Sequence, residues 1–313
     1  MSSQTPPRTL STNLSARLLS HASTHNYAVP AICIYTLSGI TATVRAANAL
    51  NSPAMILLFP SSSPLYNSDP SSTPKPSHLL AQAAHTAASA SPIPISIHLD
   101  HATSPEYIKS AADSSFYHSI MLDFSHHPPG TNLSLTREWA TYCHERGIVV
   151  EAESGRIEGG EDGIEATSEE MEALLTTSEQ ALEFRDVGGV DWLAPSFGNV
   201  HGKYGKEGPR LDFGRLGEIR EAVGPGVKLV LHGTDEFDEE LYRKCVEGGI
   251  VKANINRNVN DRLLHCWRDG EKGVVGTVEE GTGAMQAEIE KMMRWVGSAG
   301  MAEAGGLKGD AKE

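Results

Sequence analysis

The sequence predicts an α/β protein: a (β/α)8 TIM barrel with an additional C-terminal helix. Eight short runs rich in Val, Ile and Leu recur along the 313 residues, and segments with helical spacing of apolar residues separate them. The runs are continuously apolar, as expected for parallel strands that are buried on both faces. An open, doubly wound sheet is the alternative, but no G-x-G-x-x-G follows the first run and no single switch point is evident.

The predicted strands alternate in order with the predicted helices. Apolar residues three or four positions apart predict helices over 40–50, 80–87 and 216–223. Ser104-Pro105 begins another helix with an N-cap and a proline at the first position, and Thr167-Ser168 begins one with acidic residues in its first turn. The eight strands are predicted over residues 27–35, 54–59, 93–99, 119–123, 149–153, 191–194, 228–231 and 250–255.

The whole chain, residues 1–313, is expected to form this single domain. Residues 1–26 are interpreted as an N-terminal extension containing a helix, and a final helix is predicted over 287–296. The Gly/Ala/Lys-rich tail over 299–313 is expected to be frayed. Three unusually long β-to-α segments place mobile loops at the C-terminal end of the barrel, where barrel active sites lie; they cover 60–77, 154–168 and 197–210.

The amino-acid composition indicates which classes of molecule the protein can bind. The chain carries 26 Lys and Arg against 40 Asp and Glu, a net charge of -14, which disfavours nucleic acid and anionic membrane surfaces. Its 4 cysteines show no metal or disulfide spacing, which indicates free thiols in a reducing compartment. Without a signal peptide or a long apolar run, the sequence favours a cytoplasmic protein that acts on a small molecule.

Three histidines lie just past three of the predicted strands. His101, His201 and His232 could converge on one metal ion and leave an open position, as a catalytic zinc site requires. Strict alternation puts Asp100 and His101 on opposite faces of the third strand, so the chain must leave strand geometry there if both serve one site. The alternative is a strand end with ordinary hydrogen-bonding residues.

Further polar residues fall at the same end of the predicted barrel. Asp123, Glu151 and Glu153 follow or end strands, and each by itself could equally be a cap or an ion pair. Backbone N–H groups at loop glycines bind phosphate without net positive charge, although a glycine by itself is more often a turn. The residues that could form such a phosphate cradle are Gly202, Gly233, Thr234 and Asn254.

Together these segments resemble the class II, metal-dependent ketose-bisphosphate aldolases. The resemblance runs from about residue 27 to 258, in the order and spacing of that family. The segments that carry it are His98-Leu-Asp-His101, Met121-Leu-Asp-Phe-Ser-His126, Val150-Glu-Ala-Glu-Ser-Gly155, Gly198-Asn-Val-His-Gly202, Leu211-Asp-Phe213, Leu229-Val-Leu-His-Gly233 and Lys252-Ala-Asn254.

The resemblance implies a homo-oligomeric barrel, a dimer or tetramer, that cleaves fructose 1,6-bisphosphate or a close relative reversibly in carbohydrate metabolism. It implies Zn²⁺ held by His101, His201 and His232, which stabilises an enediolate, with a monovalent cation as an additional candidate. Asp100 is then the acid/base group for the C4 hydroxyl, and Glu161, rather than Asp162, is the base that deprotonates dihydroxyacetone phosphate. The other implied residues are Asp123 and Glu153 at an alternative ion position and Gly202, Gly233 and Asn254 at the phosphate.

The phosphate half departs from the family pattern. Thr234-Asp235 follows His232-Gly233 where the family has Gly-Ser, and Gly205 replaces an expected lysine. Thr234 could donate its hydroxyl, whereas Asp235 would repel a phosphate. Asn256-Arg257 replaces the family's Asp-Thr, and both residues are expected on the substrate side of the site. Arg257 could bind a phosphate or carboxylate in a bidentate manner, or pair with surface acid. We therefore predict aldol chemistry and leave the substrate open.

Two rival functions differ in class. A zinc hydrolase on the same barrel would require His-x-His near the end of the first strand, and residues 27–35 contain no histidine. A catalytically silent barrel that only binds a sugar phosphate would account for the altered phosphate loop, but it has no need for Asp100 beside the three histidines. An aldolase for a different phosphorylated or carboxylated substrate also remains open.

Overall fold

A closed barrel of eight parallel strands, paired in sequence order, forms the protein. The computed structural model describes residues 10–60, 78–155, 157, 175–204, 206, 208–270, 272–303 and 307. The predicted fold class and all eight predicted strands are confirmed. The strands are β1 Val29–Cys33, β2 Ala54–Leu58, β3 Ile95–Ala102, β4 Ser119–Leu122, β5 Val149–Ser154, β6 Trp192–Pro195, β7 Lys228–Leu231 and β8 Ile250–Ile255.

Helices surround this barrel and continue past the eighth strand. The α-helices are α1 Leu14–His25, α2 Leu37–Leu50, α3 Leu79–Ser89, α4 Pro105–Asp113, α5 Pro129–His144, α6 Ser178–Glu183, α7 Phe213–Val223, α8 Glu239–Glu247, α9 Arg257–Asp269 and α10 Gly273–Trp295. Ser104 caps α4 as predicted, its side chain accepting from the Tyr107 backbone N–H. The helix start predicted at 167–168 lies outside the described residues. No helix in the described part of the chain could span a membrane.

The N-terminal extension closes one end of the barrel. Leu18, Leu19 and Ala22 of α1 are buried against inward-facing strand residues. The side-chain amide of Asn13, which caps this helix, donates to the His118 and Gly147 carbonyls at 2.7 and 2.8 Å. The opposite, C-terminal end of the strands is therefore the open end of the barrel.

The C-terminal part is longer and better anchored than the sequence suggested. The last helix begins at Gly273, ahead of the predicted residue 287. The sequence did not indicate its first turns because Val274 and Val275 are exposed there and the apolar periodicity is absent. At the start of the tail, the N–H groups of Gly300 and Ala302 donate to the carbonyls that end α2. Ala302 and Leu307 are buried. Residues 304–306 and 308–313 lie outside the described part.

Candidate metal centre and active site

Three imidazoles meet at the C-terminal end of the barrel. The ring centroids of His101 and His201 are 5.2 Å apart, those of His101 and His232 5.2 Å, and those of His201 and His232 5.6 Å. One ring nitrogen from each lies within 4.8 Å of the others. The three histidines therefore converge closely enough to share one metal ion, as the sequence predicted.

A local break in β3 brings Asp100 and His101 to this site together. His101 has φ of 47°, in the left-handed region that non-glycine residues seldom adopt, and the pairing of β3 with β4 shifts register between Leu99 and Ala102. The side chains of two consecutive residues thereby reach one cavity. This is the departure from strand geometry that the sequence required.

Asp123 fixes the orientation of His101 from behind. Its Oδ2 lies 2.7 Å from His101 Nδ1, and its Oδ1 accepts from the Ser125 backbone N–H and hydroxyl at 3.1 and 2.7 Å. Because a carboxylate only accepts, Nδ1 carries the proton and Nε2 is the nitrogen left for a metal. Asp123, which the sequence predicted near an ion, thus contacts the candidate metal ligand His101.

His232 is held in the same way from the barrel interior. Its Nε2 lies 2.9 Å from Glu151 Oε1, and both side chains are completely buried. Its Nδ1 is buried with no hydrogen-bond partner among the described residues. A buried imidazole nitrogen without a partner, facing two further imidazoles, fits a divalent cation that accepts nitrogen ligands.

A second group of potential ligands lies deeper in the barrel. His98, Asp100 and Glu151 also offer ligand atoms within 4.8 Å of one another, all of them buried. Two of these side chains are already bound to other protein residues, however. Glu151 binds Lys252, and His98 Nδ1 lies 2.8 Å from the Ser119 hydroxyl. The three imidazoles at the strand ends are therefore the better metal site.

Asp100 sits beside the imidazoles and lines the cavity. Its Oδ2 accepts from Asn254 Nδ2 at 3.0 Å, whereas Oδ1 has no hydrogen-bond partner in the described part. Burial alone would raise the pKa of Asp100. The charge of His101 and the proximity of His98 outweigh burial and hold that pKa well below its usual range. An ionised oxygen is therefore available to accept a proton.

The imidazoles differ in their affinity for protons. Burial lowers the pKa of His101, but the charges of Asp100 and Asp123 and the hydrogen bond to Asp123 raise it to about 10, so a bound cation would displace a second proton from Nε2. Burial lowers the pKa of His201 to about 3, and the neighbouring histidines add to that shift. His201 is thus a neutral imidazole, the form that binds metals.

Glu153 occupies a more secluded position. Its Oε1 accepts from the Ile157 backbone N–H at 2.7 Å, and its Oε2 is buried without a partner among the described residues. Burial, with the charge of Asp123, raises the pKa of Glu153 to about 8. The role of Glu153 at an alternative ion position stays a prediction.

One cavity joins Asp100, His101 and His201 to the predicted anion side. It contains five of the six predicted substrate-binding residues: Gly202, Gly233, Thr234, Asn254 and Asn256. Its complete lining is Cys33, Phe59, Asp100, His101, His201, Gly202, Gly233, Thr234, Asp235, Asn254 and Asn256.

On the anion side, much of the polar surface is already bound to protein. The Thr234 hydroxyl donates to the Asn254 carbonyl at 2.6 Å, so its proton is not available to a ligand. Gly233 has φ of 70°, and a Cβ there would lie 2.3 Å from the Val200 carbonyl oxygen. Close packing of the loops that follow β6 and β7 therefore requires this glycine independently of any phosphate.

The two residues that begin the β8–α9 connection behave differently. Asn256 lines the cavity, and its Oδ1 accepts from the Tyr35 hydroxyl at 3.1 Å. Arg257 does not line it; its guanidinium lies 3.7 Å from Asp261, and its backbone N–H donates to Asp235 at 3.2 Å. Of the two roles that the sequence left open for Arg257, the structure shows pairing with surface acid.

Several contributors to the site carried little or no signal in the sequence. Lys252 and Glu151 form a buried ion pair across the barrel, and no pattern in the sequence indicated it. The Tyr204 hydroxyl accepts from the Val200 N–H and donates to the Gly233 carbonyl, tying two loops together. Glu161, the predicted base, lies outside the described residues.

Comparison with known proteins gives a consistent result. Residues 13–301 match the family described as fructose-bisphosphate aldolase class-II. A relative from Coccidioides immitis (strain RS), named "Putative fructose-bisphosphate aldolase", is 48% identical over 307 residues, covering 95% of this chain and 98% of the relative.

Solved structures show the same likeness. A crystal structure under a similar description from Coccidioides immitis is 47% identical and superimposes with a TM-score of 0.84, covering 94% of this chain and 99% of that one. The YdjI aldolase from Escherichia coli K12 is 25% identical with a TM-score of 0.77, covering 91% and 97%. The fructose-bisphosphate aldolase of Campylobacter jejuni, at 20% identity, shares the fold with a TM-score of 0.69 and coverages of 90% and 94%.

Proposed function

The chain belongs to the class II fructose-bisphosphate aldolase family and is an aldolase, and we propose that it cleaves a phosphorylated ketose reversibly to dihydroxyacetone phosphate and an aldehyde. Fructose 1,6-bisphosphate is the first substrate to test. The observation that carries the proposal is the convergence of three imidazoles beside the buried carboxylate of Asp100.

His101, His201 and His232 would hold the metal, with Zn²⁺ as the ion that three imidazoles and an open position favour. When bound, the cation supplies positive charge that polarises a ketone and offsets the negative charge formed during cleavage. Asp123 and Glu151 each fix one imidazole through its other nitrogen. The protein side of the centre is thus oriented before substrate arrives.

Asp100 would move the proton of the C4 hydroxyl. As the C3–C4 bond breaks, its electron pair stays with the ketone fragment, the C4 oxygen becomes the aldehyde carbonyl, and the hydroxyl proton passes to Asp100 Oδ1. That oxygen has no hydrogen-bond partner in the described residues, although His98 Nε2 lies 3.5 Å away, and Asn254 holds the other oxygen. Glu161 stays the predicted base for the proton exchanged at C3.

The most direct test is release of triose phosphate in a coupled assay. Protein stripped of metal by a chelator should be inactive, and one equivalent of zinc should restore activity. Absence of release from fructose 1,6-bisphosphate and from tagatose 1,6-bisphosphate by zinc-loaded protein would contradict the bisphosphate assignment, while leaving the metal centre to be tested separately.

A second substrate class is favoured by the charges around the cavity. In the described part of its lining there are two aspartates, Asp100 and Asp235, and no lysine or arginine. One phosphate can be held by backbone N–H groups and the metal, but a second would find no cation among these residues. We therefore propose ketose 1-phosphates as the alternative substrates. A higher kcat/KM for the monophosphate than for the matching bisphosphate would support them, and the reverse would exclude them.

The predicted homo-oligomer and cytoplasmic location stay predictions. Light scattering of the purified chain would measure the subunit number, and imaging of the tagged chain would test the location.

A further inference from the structure

A buried ion pair crosses the barrel beneath the metal centre. Lys252 of β8 and Glu151 of β5 approach with Nζ and Oε2 at 2.8 Å, and both side chains are completely buried. Separating a lysine and a carboxylate from water is costly, and such a pair is seldom a net source of stability. Neither residue lines the cavity at the strand ends.

The second oxygen of the carboxylate makes the connection to the site. Glu151 Oε1 lies 2.9 Å from His232 Nε2, so one oxygen binds the lysine and the other binds the imidazole. Asn254 Nδ2, which donates to Asp100 at 3.0 Å, also lies 3.2 Å from this nitrogen, but an amide nitrogen cannot accept a hydrogen bond. Glu151 is therefore the acceptor for His232.

This contact determines which nitrogen of His232 can bind a metal. A neutral imidazole has one donor and one acceptor nitrogen, and a carboxylate can only accept. The proton consequently resides on Nε2, and the lone pair is on Nδ1, which is the buried nitrogen without a partner in the described residues. In the other tautomer a protonated Nδ1 would face the place intended for the cation.

We propose that Glu151 and Lys252 are positioning residues for the metal centre. Glu151 fixes the tautomer and ring orientation of His232, and Lys252 anchors the carboxylate in the geometry that does so. The assignment rests on the proposed function, because it concerns the ligand set of the proposed cation.

Two double variants separate hydrogen bonding from charge. Glu151→Gln with Lys252→Met removes both charges but keeps an amide oxygen that can accept from His232 Nε2. Glu151→Leu with Lys252→Met removes the same charges and also the acceptor. Zinc affinity, measured by competition with a chromophoric chelator, should stay within about threefold of wild type in the first and fall about 10–100-fold in the second. Thermal unfolding of metal-free protein reports whether each variant folds.

The single variant Lys252→Met tests the anchor. It leaves Glu151 as an unpaired buried carboxylate, and we expect a lower melting temperature and zinc affinity reduced at least about tenfold. Adding Glu151→Gln should recover both. Equal zinc affinity in the two double variants, or no recovery from Lys252→Met, would overturn the positioning role. Failure of the wild-type protein to bind zinc would instead overturn the metal centre itself, and this assignment with it.

Discussion

The two halves of the cavity are built in different ways. On the metal side, buried carboxylates at 2.7 and 2.9 Å hold His101 and His232, and those carboxylates have partners of their own. On the anion side, the Thr234 hydroxyl is bound to a carbonyl, and Asp235 brings a carboxylate to the cavity. The first half is organised for its ligand, whereas the second is organised mostly for packing between loops.

The difference follows from the elements that supply the residues. His101 lies in β3 and His232 directly follows β7, so the closed barrel determines the positions of these two imidazoles, whereas His201 comes from the loop after β6. The loops after β7 and β8 supply the anion side, and loops accept substitution without disturbing the barrel. The reaction type is therefore tied to the fold in this protein, and the identity of the substrate is free to diverge.

The largest loss of activity is expected when the proton acceptor Asp100 is removed from the metal side. Asp100→Ala should lower kcat by about 10²–10⁴-fold, because Asp100 moves the hydroxyl proton, while the three ligands still bind zinc. Steady-state kinetics with metal analysis of the same sample measures both. Asp186→Ala, at an exposed ion pair with Arg185, is the control and should keep full activity. Activity of the Asp100 variant within threefold of wild type would exclude it as the acid/base group.

A smaller effect is expected from changing Asp123, the carboxylate that orients His101. Asp123→Asn keeps an oxygen that can accept from Nδ1 but removes the charge, and zinc affinity should fall about tenfold. Isothermal titration of metal-free protein gives the affinity. A larger loss together with an altered melting temperature would mean that Asp123 mainly supports folding.

Removing the negative charge of Asp235 on the anion side should improve substrate binding, in contrast to the losses expected on the metal side. Asp235→Asn keeps an acceptor for the Arg257 N–H but removes a charge that repels phosphate, so the KM for a phosphorylated ketose should fall about fivefold. Inhibition by inorganic phosphate should tighten in parallel. An unchanged or higher KM would show that Asp235 binds substrate, for example a hydroxyl group.

The smallest effect is expected at Arg257. Because its guanidinium lies against Asp261 and outside the cavity lining, Arg257→Ala should change KM and kcat less than about threefold. Asp261→Ala is the matched variant and should behave alike. A KM increase of tenfold or more in the arginine variant alone would return Arg257 to the phosphate site.

The sequence predicted the strands and the three imidazoles because both depend on short patterns. Apolar runs mark buried parallel strands, and a histidine at a strand end must lie at the rim of the barrel. It also predicted a break near His101, since two neighbouring residues can share a site only if the strand ends there. The left-handed φ of 47° at His101 is that break.

The contacts between distant strands could not be predicted in this way. Glu151 and Lys252 are 101 residues apart, and no short sequence pattern shows that they meet. The same limit applies to Thr234 and Arg257. Residue type indicates that each could bind an anion, but only the surrounding loops determine that Thr234 donates to a carbonyl and that Arg257 turns to Asp261.

A zinc-loaded crystal measured at the zinc absorption edge tests the central claim most directly. We predict one anomalous peak about 2.0–2.1 Å from a nitrogen of each of His101, His201 and His232, with Nδ1 as the donor atom of His232. A crystal with no peak there, or with the ion held by His98, Asp100 and Glu151, would contradict the account.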